Sequence, residues 1–222
     1  MQKPGCVVYS FGPNGQAIFE KAVVDITQKH CEVHVFGFNL SAEQAHEVEA
    51  IEGVLFHGHG IGADDEIVNG RFQYENRVVN SYELKTLPFI LKELGHGWVH
   101  VFKMDIEGAE YEVLPSIMTH YAEAQQAVPV TPAQVEYHHW AGRSSTQNLL
   151  STLRLVEEGG FRIFHSEFNY HGEAWNFIEY AYLHVDNEGH VVSSTELGLY
   201  HVKSSSSDRP SRIEYAHTQN VT

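Results

Sequence analysis

The chain has 222 residues, of which 42% are hydrophobic and 19% charged, the balance of a globular protein long enough to bury one sizeable α/β core. Its formal net charge of -15 argues against a nucleic-acid backbone or an anionic membrane surface as the main partner. No run approaches the ~20 apolar residues that a membrane-spanning helix needs. The opening Met1-Gln2-Lys3-Pro4-Gly5 does not read as a signal peptide, so the cytoplasm is the default expectation for a chain that can also be a piece of a longer polypeptide.

Residues 6–12 (CVVYSFG) form a short apolar run ending in glycine and read as the first strand. Pro13-Asn14-Gly15 is turn chemistry, and Ile18, Phe19, Ala22, Val23 and Ile26 give residues 17–29 one helical face. A glycine turn between a first strand and a helix is the usual start of a nucleotide-binding fold, although Gly12 and Gly15 fall short of a full GxGxxG. Residues 31–38 (CEVHVFGF) alternate and predict the second strand. Ser41 with Gln44 resembles a capping box for a helix over 42–51. Residues 54–62 (VLFHGHGIG) predict a third strand running into a glycine loop, followed by a solvated acidic stretch, Asp64-Asp65-Glu66. Residues 71–79 read as a β-hairpin or an irregular insert. A helix is expected from Ser81 and Leu84 through Leu94, with Pro88 drawing its start toward Leu87.

Residues 98–106 predict a fourth strand, buried on both faces, and residues 108–126 a helix, bent at Pro115. Residues 133–140 (AQVEYHHW) predict the fifth strand. Ser144 or Ser145 caps an amphipathic helix that Gly159-Gly160 stops. Residues 161–170 and 176–185 are aromatic strands expected to pair antiparallel around His171-Gly172, and residues 191–202 can add one more hairpin strand. The expected domain covers 1–203, with 204–222 a polar, serine-rich tail.

Five βα units predict a parallel sheet with helices on both faces. The closing antiparallel hairpin is typical of the seven-stranded Rossmann-like methyltransferase sheet rather than of dinucleotide dehydrogenases. Two cysteines, Cys6 and Cys31, each open a strand, and those strands are expected to be neighbours. Reduced core cysteines are the favoured reading, with a disulfide the alternative for a secretory protein. The 16 histidines show no zinc-type spacing: His57 and His59 share a strand face, His138 and His139 point oppositely, and no CxxC exists.

Asp105 and Glu107 end the fourth strand, with Gly108 at the turn into the next helix. In an open α/β sheet, ligands bind at the carboxyl ends of the strands. The plainer alternative is that Asp105 caps the helix.

The stretch Lys103-Met104-Asp105-Ile106-Glu107-Gly108-Ala109-Glu110, with Leu114 after it, resembles the K-x-D-x-E-G-A-E-x-x-x-L signature of FkbM-like S-adenosylmethionine-dependent methyltransferases. Val8 to Gly12 with Phe19-Glu20, Cys31 to Phe36, Gln134 to His138, Phe161 to His165 and Glu179-Tyr180-Ala181 fit the related methyltransferase-like domain of many eukaryotic proteins. The blocks cover roughly residues 5 to 185 in the family's order.

The resemblance implies methyl transfer from S-adenosylmethionine to an oxygen of a small molecule or sugar. Phe11, Gly12 and Gly15 would then face the methionine half of the cofactor, Phe38 and Asn39 its ribose or adenine, and His59, Gly60 and Ile61 would border the adenine. His138 is the candidate general base, since its unperturbed pKa of ~6.5 suits the task. Asp105 would position the acceptor or orient the base, and Glu107 completes the catalytic set. Asp105, Glu107 and Glu136 supply oxygen ligands for a Mg²⁺ ion, should the enzyme use one.

Tyr137, Trp140, Tyr170 and Trp175 can floor a sugar site or simply pack. One departure stands out: the branch carries an acidic residue after the Phe36 position to hold the ribose hydroxyls, and this chain has Gly37, with Asn39 as the alternative polar contact; should cofactor binding fail, reversion of Gly37 to aspartate is the first change expected to restore it. The alternative function is a degenerate methyltransferase fold serving as a binding or assembly module. A dinucleotide oxidoreductase would need the missing GxGxxG. A histidine–carboxylate metallohydrolase would need a bound metal. Oligomeric state is not legible in the sequence.

Overall fold

The computed structural model describes residues 5–13, 16–74, 77–139, 145–171 and 174–193, leaving aside the side chains of 73, 74, 77, 170, 171 and 174–176. The larger sheet has seven strands: β1 (Cys6–Phe11), β2 (Cys31–Phe36), β3 (Val54–His57), β7 (Val101–Met104), β8 (Ala133–His138), β9 (Phe161–His171) and β10 (Ala174–His184). Their order is β3-β2-β1-β7-β8-β10-β9. The first five run parallel, and β10 pairs antiparallel with both β8 and β9. This is the expected seven-stranded methyltransferase sheet with its closing hairpin.

Strand alternation assigns residues to two cores. Along β1, Tyr9 and Phe11 turn toward the layer of α3 (Leu87–Leu94), α4 (Glu110–Glu123) and α5 (Thr146–Glu158). Val8 turns the other way, with Val33 and Val35 of β2, toward α1 (Ile18–Ile26) and α2 (Ala42–Glu49). A central strand buried on both faces must be apolar throughout, and CVVYSF meets that demand. Its one polar member, Ser10, donates to Glu20 of α1 at 2.5 Å. The Ser41–Gln44 capping box at the start of α2 forms as expected.

Two sequence expectations fail locally. The run 54–62 is not one strand: β3 ends at His57, and β4 (Gly60–Ile61) joins a second sheet with β5 (Glu66–Tyr74) and β6 (Arg77–Lys85). Gly60 marks the change, since a Cβ there would lie 2.9 Å from Leu84 Cδ2 and Phe38 Cε1. Residues 81–85 are strand rather than helix, because β6 pairs antiparallel with β5 through Tyr82↔Val68 and Leu84↔Glu66. The helix waits for Thr86, whose hydroxyl caps Phe89 N–H, and for Pro88 in the first turn.

The favoured reading of the cysteines is also overturned. The parallel register sets Cys6 directly opposite Cys31, and the two form a disulfide, with Cα atoms 4.5 Å apart. Beyond β10, Val191 bridges back to Val185. The rest of the expected strand over 191–202 and the tail 204–222 lie outside the described residues.

Candidate active site

A cavity opens at the carboxyl ends of β1, β2 and β7. Phe11, Gly12, Pro13, Phe38, Asn39, Gly60, Ile61, Asp105 and Glu107 all contribute to its wall, so eight of the site residues singled out from the sequence meet around one space. Gly15 lies outside the described residues. His59 does not reach the wall: it is buried behind Phe36, tilted against that ring at 5.4 Å, with Nδ1 near Gly60 O.

Backbone geometry explains the glycine at position 12. Its φ is +81°, and a Cβ would fall 1.5 Å from Asp105 O. Asp105 N–H in turn donates to Phe11 O at 3.1 Å. The first glycine turn and the Asp105 turn therefore touch through backbone atoms, a contact that no other residue at position 12 permits.

The insert after β3 forms one side of the cavity. Phe72, Tyr82 and Leu84 reach it from β5 and β6. Tyr82 stacks on Phe38 at 4.2 Å with 12° between planes, and Phe72 meets Phe38 edge-on at 5.0 Å. The sequence reading misses these residues; the alternation within RFQYENRVV signals a hairpin but not which cleft it covers.

Opposite, the chain builds an acidic cluster around His138. Glu107 (φ +60°) and Gly108 (φ +102°) both take the left-handed conformation and turn the chain sharply between β7 and α4. Glu110 clamps that turn: fully buried, its Oε1 accepts from Ile106 N–H and lies 2.9 Å from His138 Nδ1. His138 Nε2 faces Asp105 Oδ1 at 3.5 Å and Glu107 Oε2 at 3.6 Å. His138 is itself 4% exposed and stands behind those two carboxylates rather than on the cavity wall.

Burial disfavours the imidazolium, but the Glu110 hydrogen bond and the charges of Glu110, Glu107 and Asp105 outweigh it and raise the pKa of His138. Burial and the Asp105 charge raise that of Glu136, whose Oε1 accepts from Asn169 Nδ2 at 3.0 Å. Glu110 is the functional residue that sequence reasoning passes over. It sits inside the signature with no role assigned, because its partner lies 28 residues away on another strand.

The trio expected to hold Mg²⁺ does not assemble as such. Asp105 and Glu136 gather with His138, their ligand atoms within 4.8 Å of one another, while Glu107 approaches His138 instead. Lys103 Nζ lies 3.5 Å from Asp105 Oδ2. One imidazole and a competing ammonium do not fit a hard ion that takes oxygen ligands. The aromatic floor is also corrected. Tyr137 is 1% exposed, and its hydroxyl bonds that of Tyr182 at 2.9 Å in the helix-side core. Trp140 and the side chains of Tyr170 and Trp175 lie outside the described residues.

Residues 1–184 match the family described as "Methyltransferase domain". The chain belongs to that family. Among curated proteins, this methyltransferase-family chain is 29% identical over 172 residues to "Probable methyltransferase-like protein 24" of Homo sapiens, a match covering 72% of this chain and 42% of that protein. The chain thus spans less than half the length of that relative.

Among solved structures it is similar to the fibrillarin pre-rRNA processing protein of Methanococcus jannaschii, with TM-score 0.48, 10% identity, 81% of this chain and 66% of the other. It is also similar to a mutant form of the 16S rRNA (adenine(1408)-N(1))-methyltransferase from Catenulisporales acidiphilia, with TM-score 0.45, 10% identity, 82% of this chain and 87% of the other. Likeness at that level carries no argument about substrate.

The family and the strand order support S-adenosylmethionine as the methyl donor, and the cavity fits it. The Phe38–Tyr82 stack offers a flat apolar surface for a purine, Asn39 a polar group for a ribose, and Asp105 with Glu107 negative charge for a sulfonium. None of the helices formed by the described residues is long and apolar enough to cross a membrane.

Proposed function

We propose that this methyltransferase-family protein methylates a hydroxyl oxygen of a small molecule or sugar, using S-adenosylmethionine. The observation that carries the reading is the Glu110–His138–Asp105–Glu107 cluster at one end of the cofactor-sized cavity. An alcohol loses its proton as the new C–O bond forms, so a hydroxyl acceptor benefits from a placed base, worth roughly 10²–10⁴-fold in rate.

When bound, the donor supplies an electrophilic methyl on a positive sulfur. The chain supplies the rest. Asp105, on the wall, accepts a hydrogen bond from the acceptor hydroxyl and orients it. The hydroxyl proton passes by way of Asp105 to Nε2 of His138, which Glu110 holds through Nδ1 behind the wall. Glu107 adds negative charge beside the sulfonium. The resemblance of the Asp105–Glu110 block to the FkbM-like signature favours oxygen as the methylated atom. A net charge of -15 favours an acceptor other than nucleic acid. The Cys6–Cys31 bond favours an oxidising compartment over the cytoplasm expected by default.

The test is calorimetry of the purified chain with S-adenosylmethionine and with its demethylated product, followed by a methyl-transfer screen over sugars, small alcohols and small amines. Micromolar binding plus transfer to a hydroxyl supports the proposal. Binding with transfer only to nitrogen overturns the oxygen assignment. No binding of either nucleoside turns the reading to a methyltransferase fold used as a binding module.

A further inference from the structure

We propose that Glu32, His34 and His96 form a binding site for a divalent transition-metal ion of the zinc type, separate from the cofactor cavity and independent of the proposed methyl transfer. The donor set is two imidazoles and one carboxylate, a combination that binds zinc with a fourth position left to water. One ligand atom from each residue falls within 4.8 Å of the other two. A tetrahedral zinc with bonds of ~2.0–2.1 Å needs ligand atoms about 3.4 Å apart, so small side-chain rotations close the set.

Chain spacing hides the site. Glu32 and His34 point to the same face of β2, and His96 arrives from the turn just after α3, 62 residues beyond His34. The fold removes the objection that histidine spacing raised.

The surroundings are those of a built site rather than a chance meeting of polar groups. Metal-bound histidines usually have their second ring nitrogen engaged, which fixes both tautomer and orientation. Here His34 Nδ1 lies 2.9 Å from His57 Nε2, and His96 Nδ1 lies 2.7 Å from the Tyr9 hydroxyl. His34 Nε2 already faces Glu32 Oε1 at 2.8 Å, a contact that an ion between them would replace. Burial disfavours protonation of both His34 and His96, which suits neutral imidazole ligands.

Entry is open from one side. His34 is 2% exposed at its side chain, whereas Glu32 keeps 32%. The consequence reaches the cavity through one ring: His57 stacks on Phe36 at 4.6 Å, and Phe36 is part of the cavity wall. A metal on His34 would tie β2 to the end of α3 and hold that wall from behind.

The experiment is titration of the chelator-stripped full chain with ZnCl₂ by calorimetry, repeated for Glu32→Gln, His96→Gln and Glu136→Gln, with Co²⁺ absorption as a geometric readout. The expected result is one ion per chain with tetrahedral Co²⁺ bands. Glu32→Gln and His96→Gln should each weaken binding at least tenfold, and Glu136→Gln by less than twofold. Glu32 is partly exposed and its substitution is isosteric, so that variant tests the site even if His96→Gln loses stability. Absence of binding overturns the proposal, as does binding lost in Glu136→Gln and kept in Glu32→Gln, which would move the ion to the Asp105–Glu136–His138 cluster.

Discussion

Gly37 lies against the ring of Pro13, and a Cβ on residue 37 would stand 2.7 Å from both Cδ and Cγ of that proline. The two residues are a matched pair on the wall of the cofactor cavity, one rigid ring filling the space that the other leaves. This reverses the expectation for Gly37→Asp. The added side chain must displace Pro13 before it can reach a ribose, and overpacking of this kind costs about 1–3 kcal/mol. Gly37→Asp is expected to lower the denaturation midpoint and to weaken S-adenosylmethionine binding at least tenfold by calorimetry, with Pro13→Ala restoring part of both losses. Tighter binding by Gly37→Asp alone would refute the steric account.

Tyr82 tests the aromatic wall. It stacks on Phe38 nearly parallel, and both rings line the cavity. Loss of an aromatic contact of this kind costs about 0.5–1.5 kcal/mol beyond area, so Tyr82→Ala is expected to raise the cofactor dissociation constant about three- to tenfold. Tyr82→Phe should leave it within twofold, because the ring and not the hydroxyl makes the stack. Equal losses in both variants would assign the effect to the hydroxyl.

What the sequence makes legible, and what it does not, follows from the range of each interaction. The five parallel strands, the capping box at Ser41 and the Asp105–Glu107 turn rest on periodicity and on residues a few positions apart, and these local signals survive folding. The start of α3 reads too early in the sequence because the apolar residues of 81–85 fit two periods, and only pairing with β5 decides between them. Tyr82 over Phe38, Glu110 on His138 and His96 beside Glu32 join residues 28 to 64 positions apart, in different elements. No local pattern encodes such meetings; the order of strands in the sheet does. The cysteines show the same lesson in reverse. Their strands are expected as neighbours, but the one-to-one register that sets Cys6 on Cys31 appears only in the assembled sheet.

The Cys6–Cys31 disulfide closes a loop of 25 residues that holds β1, α1 and the start of β2. Loop-closure entropy for that length is worth about 3.5 kcal/mol. Cys6→Ser, Cys31→Ser and the double variant are each expected to lower unfolding free energy by about 2–4 kcal/mol, measured in denaturant without reductant. The double variant should lose no more than either single one, because each change already opens the same bond. Thiol titration of the unfolded, unreduced parent chain should find none of its two cysteines free.

His138 makes the pH dependence of the proposed chemistry predictable in sign. Among the described residues, the groups facing it include Glu110 from α4, Asp105 and Glu107 from the turn after β7, Glu136 on its own strand and the Phe177 ring from β10, edge-on at 5.0 Å. Burial works against its proton, the carboxylates work for it and prevail, and the folded-state pKa lies above 6.5. Stability that comes from this raised value is fully present below the unfolded pKa and is lost as pH rises through the folded one.

Catalysis runs the other way, since only the neutral imidazole accepts a proton, so kcat is expected to climb as pH rises through the folded value. Glu110→Gln keeps the shape and removes the charge, which should move that rising limb to lower pH while the plateau falls modestly. His138→Gln is expected to lower the plateau about 10²–10⁴-fold and to abolish the loss of stability between pH 6.5 and the folded pKa of the parent. A rising limb that stays in place in Glu110→Gln would separate His138 from the titration and move the base role to Asp105.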